Sequence, residues 1–425
     1  MHQPAAIRAG ESSQRIYAIG VGMFATLAMS LMLGGGWTIV AAMGVEPMEL
    51  PWADARTISG AGISLEQGLD PLVTNPGDPW DRVMNYPRPW LAFAELGLRP
   101  EHTWVLAWVF FAAFLGGLVL LRPLAQDRLT SYLMLASIFA PTTWLAIERA
   151  NNDAFVFGLL CAAAYLIMRR PAVASALVAL AALLKVYPIA ALPAYLRERP
   201  HKSHRYVTLL VGLFVIYAFA TWDDLGLIQA GTLKAPWLAY GIEIGPGIIA
   251  KNWPIHLNLL LTIAALSLAL TCLAGYGIRM KSRLGAASTP FSLAAFRIGS
   301  SIYLASFLIG SSFDYRLIFL ILTIPQLVAW ARNAAPGPRN LALSQLVTVA
   351  LLQWSQSWRA IISRATGSDH YGLVFDELLT WICWVGMAVL ILMTLPEWAV
   401  PRSRRGIPYA DGASHLRAPI ADLAP

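Results

Sequence analysis

The chain has 425 residues, of which 57% are hydrophobic and only 13% are charged. Soluble globular proteins carry about 25% charged residues, and one soluble core could not bury this much apolar surface. The composition therefore excludes a soluble enzyme, a disordered chain and a nucleic-acid-binding protein. The formal net charge of +7 is typical of the basic cytoplasmic loops of a membrane protein, so it does not require an anionic macromolecule as partner.

Eleven apolar runs are long enough to lie across or deep within a bilayer, since one crossing needs about 20 residues of helix. The first run is too long for a signal peptide and no convincing cleavage site follows it, so we interpret it as an uncleaved first helix. In chain order the runs are residues 17–44, 103–121, 129–147, 154–168, 172–196, 206–221, 257–278, 291–312, 317–331, 341–358 and 374–398.

Lysine and arginine predict the sidedness of these helices. Alternate connecting segments hold 19 of the 31 basic residues but only six of the 24 acidic residues. Because strongly basic loops stay in the cytoplasm, we expect the N-terminus 1–15 and the tail 399–425 to be cytoplasmic, and the long loop 45–102 to be outside. The expected location is the inner (plasma) membrane of a bacterium. No internal repeat is visible, so residues 1–425 are interpreted as one multi-pass membrane domain.

The run 172–196 has basic residues on both flanks, and Lys185 and Pro188 interrupt it in the string LLKVYP. A lysine at the centre of a spanning helix costs about 2.5–3.5 kcal/mol, and a proline removes a backbone donor. A broken hairpin that turns near Lys185 and returns to the cytoplasm accommodates both residues. We therefore predict an all-α polytopic membrane protein with about ten transmembrane helices, one broken hairpin and an ordered first outer loop.

In this topology the polar segments that interrupt the apolar sequence all lie on the outer side of the membrane. Ionisable residues at membrane depth are expensive and commonly functional, so we expect the functional site on that face. The segments are residues 45–102, 148–153, the turn at Lys185, and residues 222–256, 313–316 and 359–373.

Asp54 in the first outer loop has two interpretations. Small and apolar residues recur at helical spacing between positions 58 and 65, which predicts a short amphipathic helix on the membrane surface just after Asp54. The carboxylate would either cap that helix or serve as a general base at the membrane surface. The proline-rich stretch 71–89 cannot be helical and is expected to fold over a cavity.

The other polar strings have similar pairs of interpretations. One residue of ERANND would suffice to cap the next helix, yet five polar residues are present, and Glu148 and Arg149 are expected to pair at the rim of a site. Lys185 either snorkels or serves the site. Asp314 and Arg316 of FDYR form either a weak surface pair or part of the site. The candidate binding residues are Tyr86, Arg88, Glu148, Arg149, Asn152, Asp153, Lys185, Tyr187, Asp314 and Arg316.

The order of these motifs resembles that of the membrane glycosyltransferases of the GT-C superfamily. The closest resemblance is to glycosyltransferase family 87, which includes polyprenol-phosphate-mannose-dependent α-mannosyltransferases. It covers about residues 50–330 and depends on the strings GLDP, NYP, ERANND, LLKVYP and FDYR. The resemblance implies a GT-C fold, an extracytoplasmic active site, a polyprenyl-phosphate sugar as donor, and an aspartate of the first loop, here Asp54, as general base. NYPRPW departs from the YPP-type pattern of many members.

The implied reaction is the inverting transfer of a hexose. Asp54 would accept the proton of the attacking hydroxyl, while Lys185, Arg149 and Arg316 would stabilise the charge on the departing lipid phosphate. No cofactor is implied, and a divalent metal is not required, although the acidic first loop could hold one. The expected partners are a polyprenyl-phosphate-linked sugar, a lipid or glycan acceptor and membrane lipids, with no nucleic acid.

Two other functions remain open at the level of the sequence. A transporter or flippase for lipid-linked saccharides would also bury charges, but it would show internal repeats and helices broken near the midplane, whereas one broken helix is predicted here. A saccharide polymerase or ligase would share the lipid-linked donor and the outer site. Its large catalytic loop comes late in the chain, whereas the richest outer loop of this sequence is the first.

Overall fold

The computed structural model of the protein describes residues 5–196, 200–252, 256–281, 284, 289–396 and 398. The predicted cytoplasmic tail 399–425 therefore lies outside the described residues. So do residues 197–199, which belong to the basic segment that follows the run 172–196. The α-helices are α1 (Ala5–Gly34), α2 (Thr38–Ala41), α3 (Ala53–Glu66), α4 (Leu91–Glu95), α5 (Thr103–Leu121), α6 (Arg128–Ile138), α7 (Pro141–Glu148), α8 (Asp153–Leu166), α9 (Pro171–Lys185), α10 (Pro200–Ala220), α11 (Trp222–Gly231), α12 (Ile244–Asn252), α13 (Leu257–Lys281), α14 (Pro290–Leu308), α15 (Ile324–Asn333), α16 (Pro336–Gln353), α17 (Ser355–Thr366) and α18 (His370–Thr394). Short 3₁₀ segments cover Arg88–Trp90, Pro100–His102, Arg122–Leu124, Tyr187–Tyr195, Pro236–Leu238 and Asp314–Thr323, and the strands are β1 (Ala239–Tyr240) and β2 (Ser312–Phe313).

The chain is an all-α polytopic membrane protein, as the sequence predicted. Within the described ranges six helical segments are long and apolar enough to cross a bilayer, and two bent pairs raise the number to eight if each pair is one span. The bent pairs are α6 with α7, at 44°, and the His204–Ala220 part of α10 with α11, at 76°. The helices α8 and α9 are apolar but shorter.

The helices are more often broken than the sequence predicted. The predicted run 129–147 is divided between α6 and α7 because Pro141 begins α7 and cannot continue the backbone hydrogen bonds of the preceding helix. The predicted crossing 341–358 corresponds to α16, which is not among the helices apolar enough to span on their own. Its buried face includes the polar Gln345, while Leu343 and Val347 are exposed. The expectation of a single broken helix is therefore wrong.

The hairpin near Lys185 is confirmed. Helix α9 ends at Lys185, and Val186 has a left-handed φ of 58°, which a β-branched residue rarely adopts. The chain then continues as the 3₁₀ segment Tyr187–Tyr195. The indole N–H of Trp90 donates to the carbonyl of Leu184 at 2.9 Å. This hydrogen bond satisfies one of the carbonyls that the end of a helix leaves unpaired.

The segment after the turn runs back to the other end of the bundle. At its end the carbonyl of Leu196 accepts a hydrogen bond from Arg297 at 2.6 Å, and Arg297 also donates to Thr394 at the end of α18. Arg297 lies in the first half of α14, whereas the segment that follows α14 reaches the Lys185 end of the hairpin through Arg316. The buried Arg297 thus faces protein, as an arginine within an apolar run must.

The long loop 45–102 is ordered, and α3 is packed inside the protein rather than exposed along one face like the amphipathic surface helix that the sequence predicted. Nine of its 14 residues are buried, because the proline-rich stretch folds over it. The two backbones nearly touch at Gly60 and Gly77, where a Cβ on Gly60 would lie 2.6 Å from the carbonyl carbon of Gly77. The side chain of Asn75 donates to the carbonyls of Thr57 and Arg82, which ties the loop to the helix.

A second segment between long helices, α11 to α12, packs beside this loop. Its strand β1 pairs antiparallel with β2, with Ala239 opposite Phe313 and Tyr240 opposite Ser312. The pairing attaches this segment to the FDYR string, because Phe313, the first residue of that string, belongs to β2. We call residues 222–252 the outer cover, after the side of the membrane that the sequence predicts for them.

Close packing of α5 against α8 fixes the position of the ERANND turn at the start of α8. Gly117 and Gly158 lie where the two helices cross, and a Cβ on Gly158 would lie 2.3 Å from the carbonyl oxygen of Ala113. Small residues let membrane helices approach closely. Phe114 and Phe157 pack beside the crossing with ring centroids 4.9 Å apart.

Candidate active site

Asp54 is held beside the ERANND turn by backbone hydrogen bonds. Its N–H donates to the carbonyl of Arg149 at 2.9 Å, and the N–H of Trp52 donates to that of Glu148 at 2.9 Å. Asp54 lies inside the first turn of α3, whose N-terminal flanking residue is Trp52 with a φ of 65°. The alternative that Asp54 caps the helix is wrong, because its carboxylate bonds to another segment of the chain.

The carboxylate of Asp54 contacts one amide and approaches one guanidinium. Oδ2 accepts a hydrogen bond from Nδ2 of Asn151 at 2.6 Å, and Oδ1 lies 3.7 Å from Nη1 of Arg82. The side chain is 17% exposed, so it keeps access to a ligand. At the other end of the same amide, Oδ1 of Asn151 accepts a hydrogen bond from Lys185 at 3.2 Å. One amide therefore connects Asp54 to Lys185.

Asp153, which is fully buried, is the electrostatic centre of the site. Its Oδ1 lies 2.9 Å from the ammonium of Lys185, and its Oδ2 lies 3.3 Å from Nε of Arg316. The hydroxyl of Tyr187 donates to it at 2.6 Å. One carboxylate thus balances two cations, and this group retains one formal positive charge. Asn152 also accepts from Lys185, so neither Asn152 nor Asp153 serves as the helix cap that the sequence allowed.

A cavity of about 710 Å³ opens beside this cluster. Lys185 lies at its wall with the ammonium 4.7 Å from the ring centroid of Tyr86. Phe313 and Tyr315 form a stacked pair, with centroids 5.4 Å apart and planes at 11°. Asp54 is next to the cavity but not in its lining. The lining residues are Asn85, Tyr86, Pro87, Lys185, Val186, Tyr187, Leu225, Ile228, Gln229, Ala230, Thr232, Lys234, Glu243, Ile309, Ser311, Phe313, Tyr315 and Arg316.

Two residues of the first loop, Tyr86 and Arg82, have defined protonation states at neutral pH. Burial raises the pKa of Tyr86 well above its ordinary value, so its phenol stays neutral and can act as a hydrogen-bond donor or acceptor. Burial acts to lower the pKa of Arg82, but its hydrogen bonds to Asp78 and the charges of Asp78 and Asp54 outweigh that effect and raise it. Arg82 therefore remains a cation.

Glu148 and Arg149 pair with each other, as expected, but they lie away from the cavity. Glu148 is buried and accepts the N–H of Met48 at 2.8 Å. Arg149 also donates to the carbonyl of Glu46 at 3.1 Å. Both side chains fasten the segment after α2 to the ERANND turn.

Asp314 and Arg316 do not pair with each other, so the interpretation of FDYR as a surface ion pair is wrong. Both side chains lie in the protein interior and have other partners. Arg316 binds Asp153, and Asp314 lies 3.1 Å from Arg359, whose guanidinium also lies 3.0 Å from Asp376. The polar outer segment 359–373 thus contributes a brace for the turn that carries Arg316.

Arg88 contacts two carboxylates outside the cavity lining. It lies 2.8 Å from Asp70 in the first loop and 2.8 Å from Asp224 in the outer cover. This arginine joins the two outer segments, and its side chain is 41% exposed.

The sequence interpretation missed several residues of the site. Asn151 stands inside ERANND, where its neighbours were selected as candidates. Arg82 is separated by four positions from Asp78, a spacing that is compatible with an ion pair, but nothing in that spacing indicates Asp54 as a further partner. Tyr315 stands inside FDYR, between the two residues of that string that are candidates. Gln229 and Glu243 of the outer cover line the cavity without any local signal.

Among the described residues, no group of three or more histidine, cysteine, aspartate or glutamate side chains is placed to hold a metal ion.

No protein-family model matches this sequence. No curated protein matches it either. A comparison with solved structures finds ArnT from Cupriavidus metallidurans bound to undecaprenyl phosphate, which is 14% identical over 88% of this chain and 76% of that chain, with a TM-score of 0.32. A likeness of that size identifies neither a family nor an activity.

Proposed function

We propose that this protein is a membrane glycosyltransferase of the GT-C type, related to family 87. It transfers a hexose from a polyprenyl-phosphate donor to a lipid or glycan acceptor on the extracytoplasmic face of the bacterial inner membrane. The observation that best supports this function is the group formed by Asp153, Lys185 and Arg316, which we call the Asp153 cluster. A buried carboxylate with two cations lies at the wall of a cavity, one amide away from the accessible carboxylate of Asp54.

The charge of the cluster suits the donor. A sugar on polyprenyl phosphate is a phosphodiester with one negative charge, and Lys185 and Arg316 retain one positive charge after their contacts with Asp153. When the bond to the sugar breaks, a second negative charge develops on the phosphate. Preorganised cations stabilise such charge more strongly in the transition state than in the bound donor. Arg149, which pairs with Glu148, is left out of this role.

Asp54 acts as the general base. It takes the proton of the acceptor hydroxyl while that oxygen attacks the anomeric carbon. The bond from the anomeric carbon to the phosphate oxygen breaks, and the electron pair leaves with the phosphate. Attack from the face opposite the leaving group inverts the anomeric centre. Asn151 orients the base and Lys185 together, because its amide contacts both.

Aromatic side chains provide a surface for the sugar. Tyr86 and the stacked pair of Phe313 and Tyr315 line the cavity beside Lys185. Aromatic faces pack well against the C–H faces of sugar rings, and a phenol hydroxyl supplies a hydrogen bond. Tyr187, which donates to Asp153, fixes the acid rather than the sugar. No cofactor or divalent metal is required for this chemistry.

Substitution of Asp54 by asparagine tests the function. Membranes containing the protein are supplied with mannosyl or glucosyl undecaprenyl phosphate, each tritiated in the sugar, and label that leaves the donor for an acceptor is measured. Asp54→Asn keeps the size and the hydrogen bond to Asn151 but cannot accept a proton, so transfer falls by about 10²–10⁴. The matched control is Asp81→Asn, an exposed carboxylate of the same loop, which retains wild-type transfer.

The outcome separates the alternatives. Normal transfer by Asp54→Asn, with loss in Asp70→Asn, would move the base elsewhere in the loop. Normal transfer by both variants would contradict base-catalysed glycosyl transfer. The breaks at α6–α7 and α10–α11 favour a transporter or flippase more than the sequence did. If the protein moved labelled donor across a vesicle membrane without releasing the sugar, that second function would replace the first.

A further inference from the structure

Arg82 contacts the backbone beside Asp54 and lies close to its carboxylate. Nε and Nη2 donate to Asp78 at 3.1 Å and 2.8 Å. Nη2 also donates to the carbonyl of Ala53, the residue before Asp54, at 2.5 Å. Nη1 is left facing Oδ1 of Asp54 at 3.7 Å. The side chain of Arg82 is 18% exposed, so water weakens its interaction with Asp54 only in part.

Asp78 orients this guanidinium. It is buried and accepts hydrogen bonds from the backbone N–H groups of Trp80 and Arg82 as well as from the Arg82 side chain. A planar guanidinium bound through two nitrogens to one carboxylate has little freedom to rotate. The remaining nitrogen is therefore directed at Asp54 by the loop itself.

We propose that Arg82 is a positioning residue for the base, which fixes the orientation of the Asp54 carboxylate and places a positive charge beside it during glycosyl transfer. This inference rests on the glycosyltransferase function and adds a residue that the motifs of the sequence did not indicate. Arg82 does not contact the reacting atoms. It acts through Asp54 and through the first turn of α3.

The other charged groups near Asp54 have opposing effects. Lys185 lies beyond Asn151 and adds positive charge near Asp54, whereas Glu148 on the ERANND turn adds negative charge. Tyr86 and Tyr315 face Asp54 as neutral phenols. Lys185 is already paired with Asp153, so Arg82 is the nearer cation. Its removal takes away the positive charge that lies 3.7 Å from the Asp54 carboxylate.

The test is the pH profile of sugar transfer by Arg82→Gln with the labelled donors described above. Loss of a cation at this distance moves the acid limb of the profile towards higher pH by about one unit. The kcat/KM measured on the acid limb, below its midpoint in both proteins, then falls about tenfold, while the plateau value at higher pH stays within about threefold of wild type. Arg99→Gln is the matched control. Arg99 belongs to the same loop and holds the other end of α3 through Glu66, so this variant keeps the wild-type profile.

Asp78→Asn provides a second test with the opposite sign, and it applies even if Arg82→Gln fails to fold. Asn keeps an oxygen that accepts from Arg82 but removes one negative charge near Asp54, so the acid limb moves towards lower pH. Arg82→Lys retains the cation, so its acid limb lies between those of wild type and Arg82→Gln.

An equal loss of transfer at every pH in Arg82→Gln, or an acid limb that does not move in either variant, would overturn the role of Arg82. Asp54→Asn measured in the same series distinguishes a failure of the Arg82 role from a failure of the proposed function. If Asp54→Asn is inactive and Arg82→Gln matches Arg99→Gln, only the role of Arg82 is wrong. If Asp54→Asn retains transfer, the proposed function itself is wrong.

Discussion

Asn151 joins the two charged halves of the candidate site. Its amide donates to Asp54 at one end and accepts from Lys185 at the other, while the N–H of Asp153 donates to the same oxygen as Lys185. A primary amide is neutral, so it places a base and a cation close together without neutralising either. The amide therefore separates the proposed base from the cation that lines the cavity.

At the scale of single residues, we predict that Arg316 contributes to the binding of a lipid phosphate. Arg316→Gln removes the surplus positive charge beside Asp153 while Lys185 still pairs with that carboxylate. A hydrogen bond between charged groups contributes about 1.5–3 kcal/mol, so the affinity for undecaprenyl phosphate falls about 10- to 100-fold. Titration of the purified protein in detergent, followed by native mass spectrometry, measures this change.

The control for this prediction is Arg332→Gln. Arg332 on α15 pairs with Asp127 at 3.0 Å and is not among the residues that line the cavity, so its loss leaves binding unchanged. Equal affinity in the Arg316 and Arg332 variants would contradict phosphate binding at the Asp153 cluster.

The sequence predicts the role of a residue better than it predicts which residues that residue contacts. A lysine in an apolar run indicated an interior role for Lys185, and that residue does line the cavity. The partner of Asp54 is 97 positions away in the chain, and the partner of Arg316 is 163 positions away. Hydrophobic periodicity is local, so it contains no information on which distant side chains meet. FDYR therefore suggested a local pair that the fold does not form.

At the scale of elements, Arg88 connects the first outer loop to the outer cover. Its hydrogen bonds hold the pKa of Asp70 below the ordinary value. A lowered pKa means that the contact is complete at pH above about 4 and is lost when Asp70 is protonated at lower pH. The outer cover lines the cavity through Leu225, Ile228 and Gln229, so Arg88 stabilises one wall of the cavity at neutral pH.

Arg88→Gln should therefore loosen α11. Each of the two exposed ion pairs contributes about 0.2–1 kcal/mol, so amide hydrogen exchange of Trp222–Gly231 rises about two- to fivefold at pH 7. Hydrogen exchange with mass spectrometry on the protein in nanodiscs measures it. Arg99→Gln, which breaks an ion pair within the first loop, leaves exchange in α11 unchanged. Equal exchange in the wild-type and Arg88→Gln proteins would show that the cover is held by other contacts.

The locations of most helices were predictable, whereas their breaks were not. Apolar runs of about 20 residues indicate spans because length and hydropathy are properties of a local segment. The run 129–147 gave no warning of the bend, since Pro141 is also tolerated at the start of a helix. Its effect depends on how α7 packs against the ERANND turn and the segment 314–323. The burial of α3 was also unpredictable, because the chain that covers it is the proline-rich stretch rather than the lipid surface.

At the scale of the whole molecule, the sidedness of the helices remains a prediction from the basic residues. It is tested by single cysteines in a Cys272→Ser background, because Cys272 is the exposed cysteine. A membrane-impermeant maleimide added to spheroplasts should label Gln67→Cys in the first outer loop. Gln126→Cys and His204→Cys should react only after the membrane is permeabilised, since their segments are basic.

Position 204 provides the most informative result of this experiment. It follows the return segment of the hairpin, which ends near Leu196 and Arg297. Labelling of His204→Cys from outside would mean that helix α9 and the segment Tyr187–Tyr195 have the opposite orientation in the membrane to the predicted one. The Asp153 cluster would then face the cytoplasm, and a lipid-linked donor on the outer face could not reach it.

The separation of Asp153 from its two cations along the chain has a consequence for biogenesis. Asp153 and Lys185 belong to consecutive helices, so their pair can form soon after α9 leaves the ribosome. Arg316 lies 163 residues after Asp153, a stretch that takes about 10–30 s to synthesise. During that interval the nascent protein holds a neutral pair, which is the less costly state within a bilayer. The surplus cation is therefore the last part of the cluster to be inserted, and the half-made chain has no net charge there to attract a lipid phosphate.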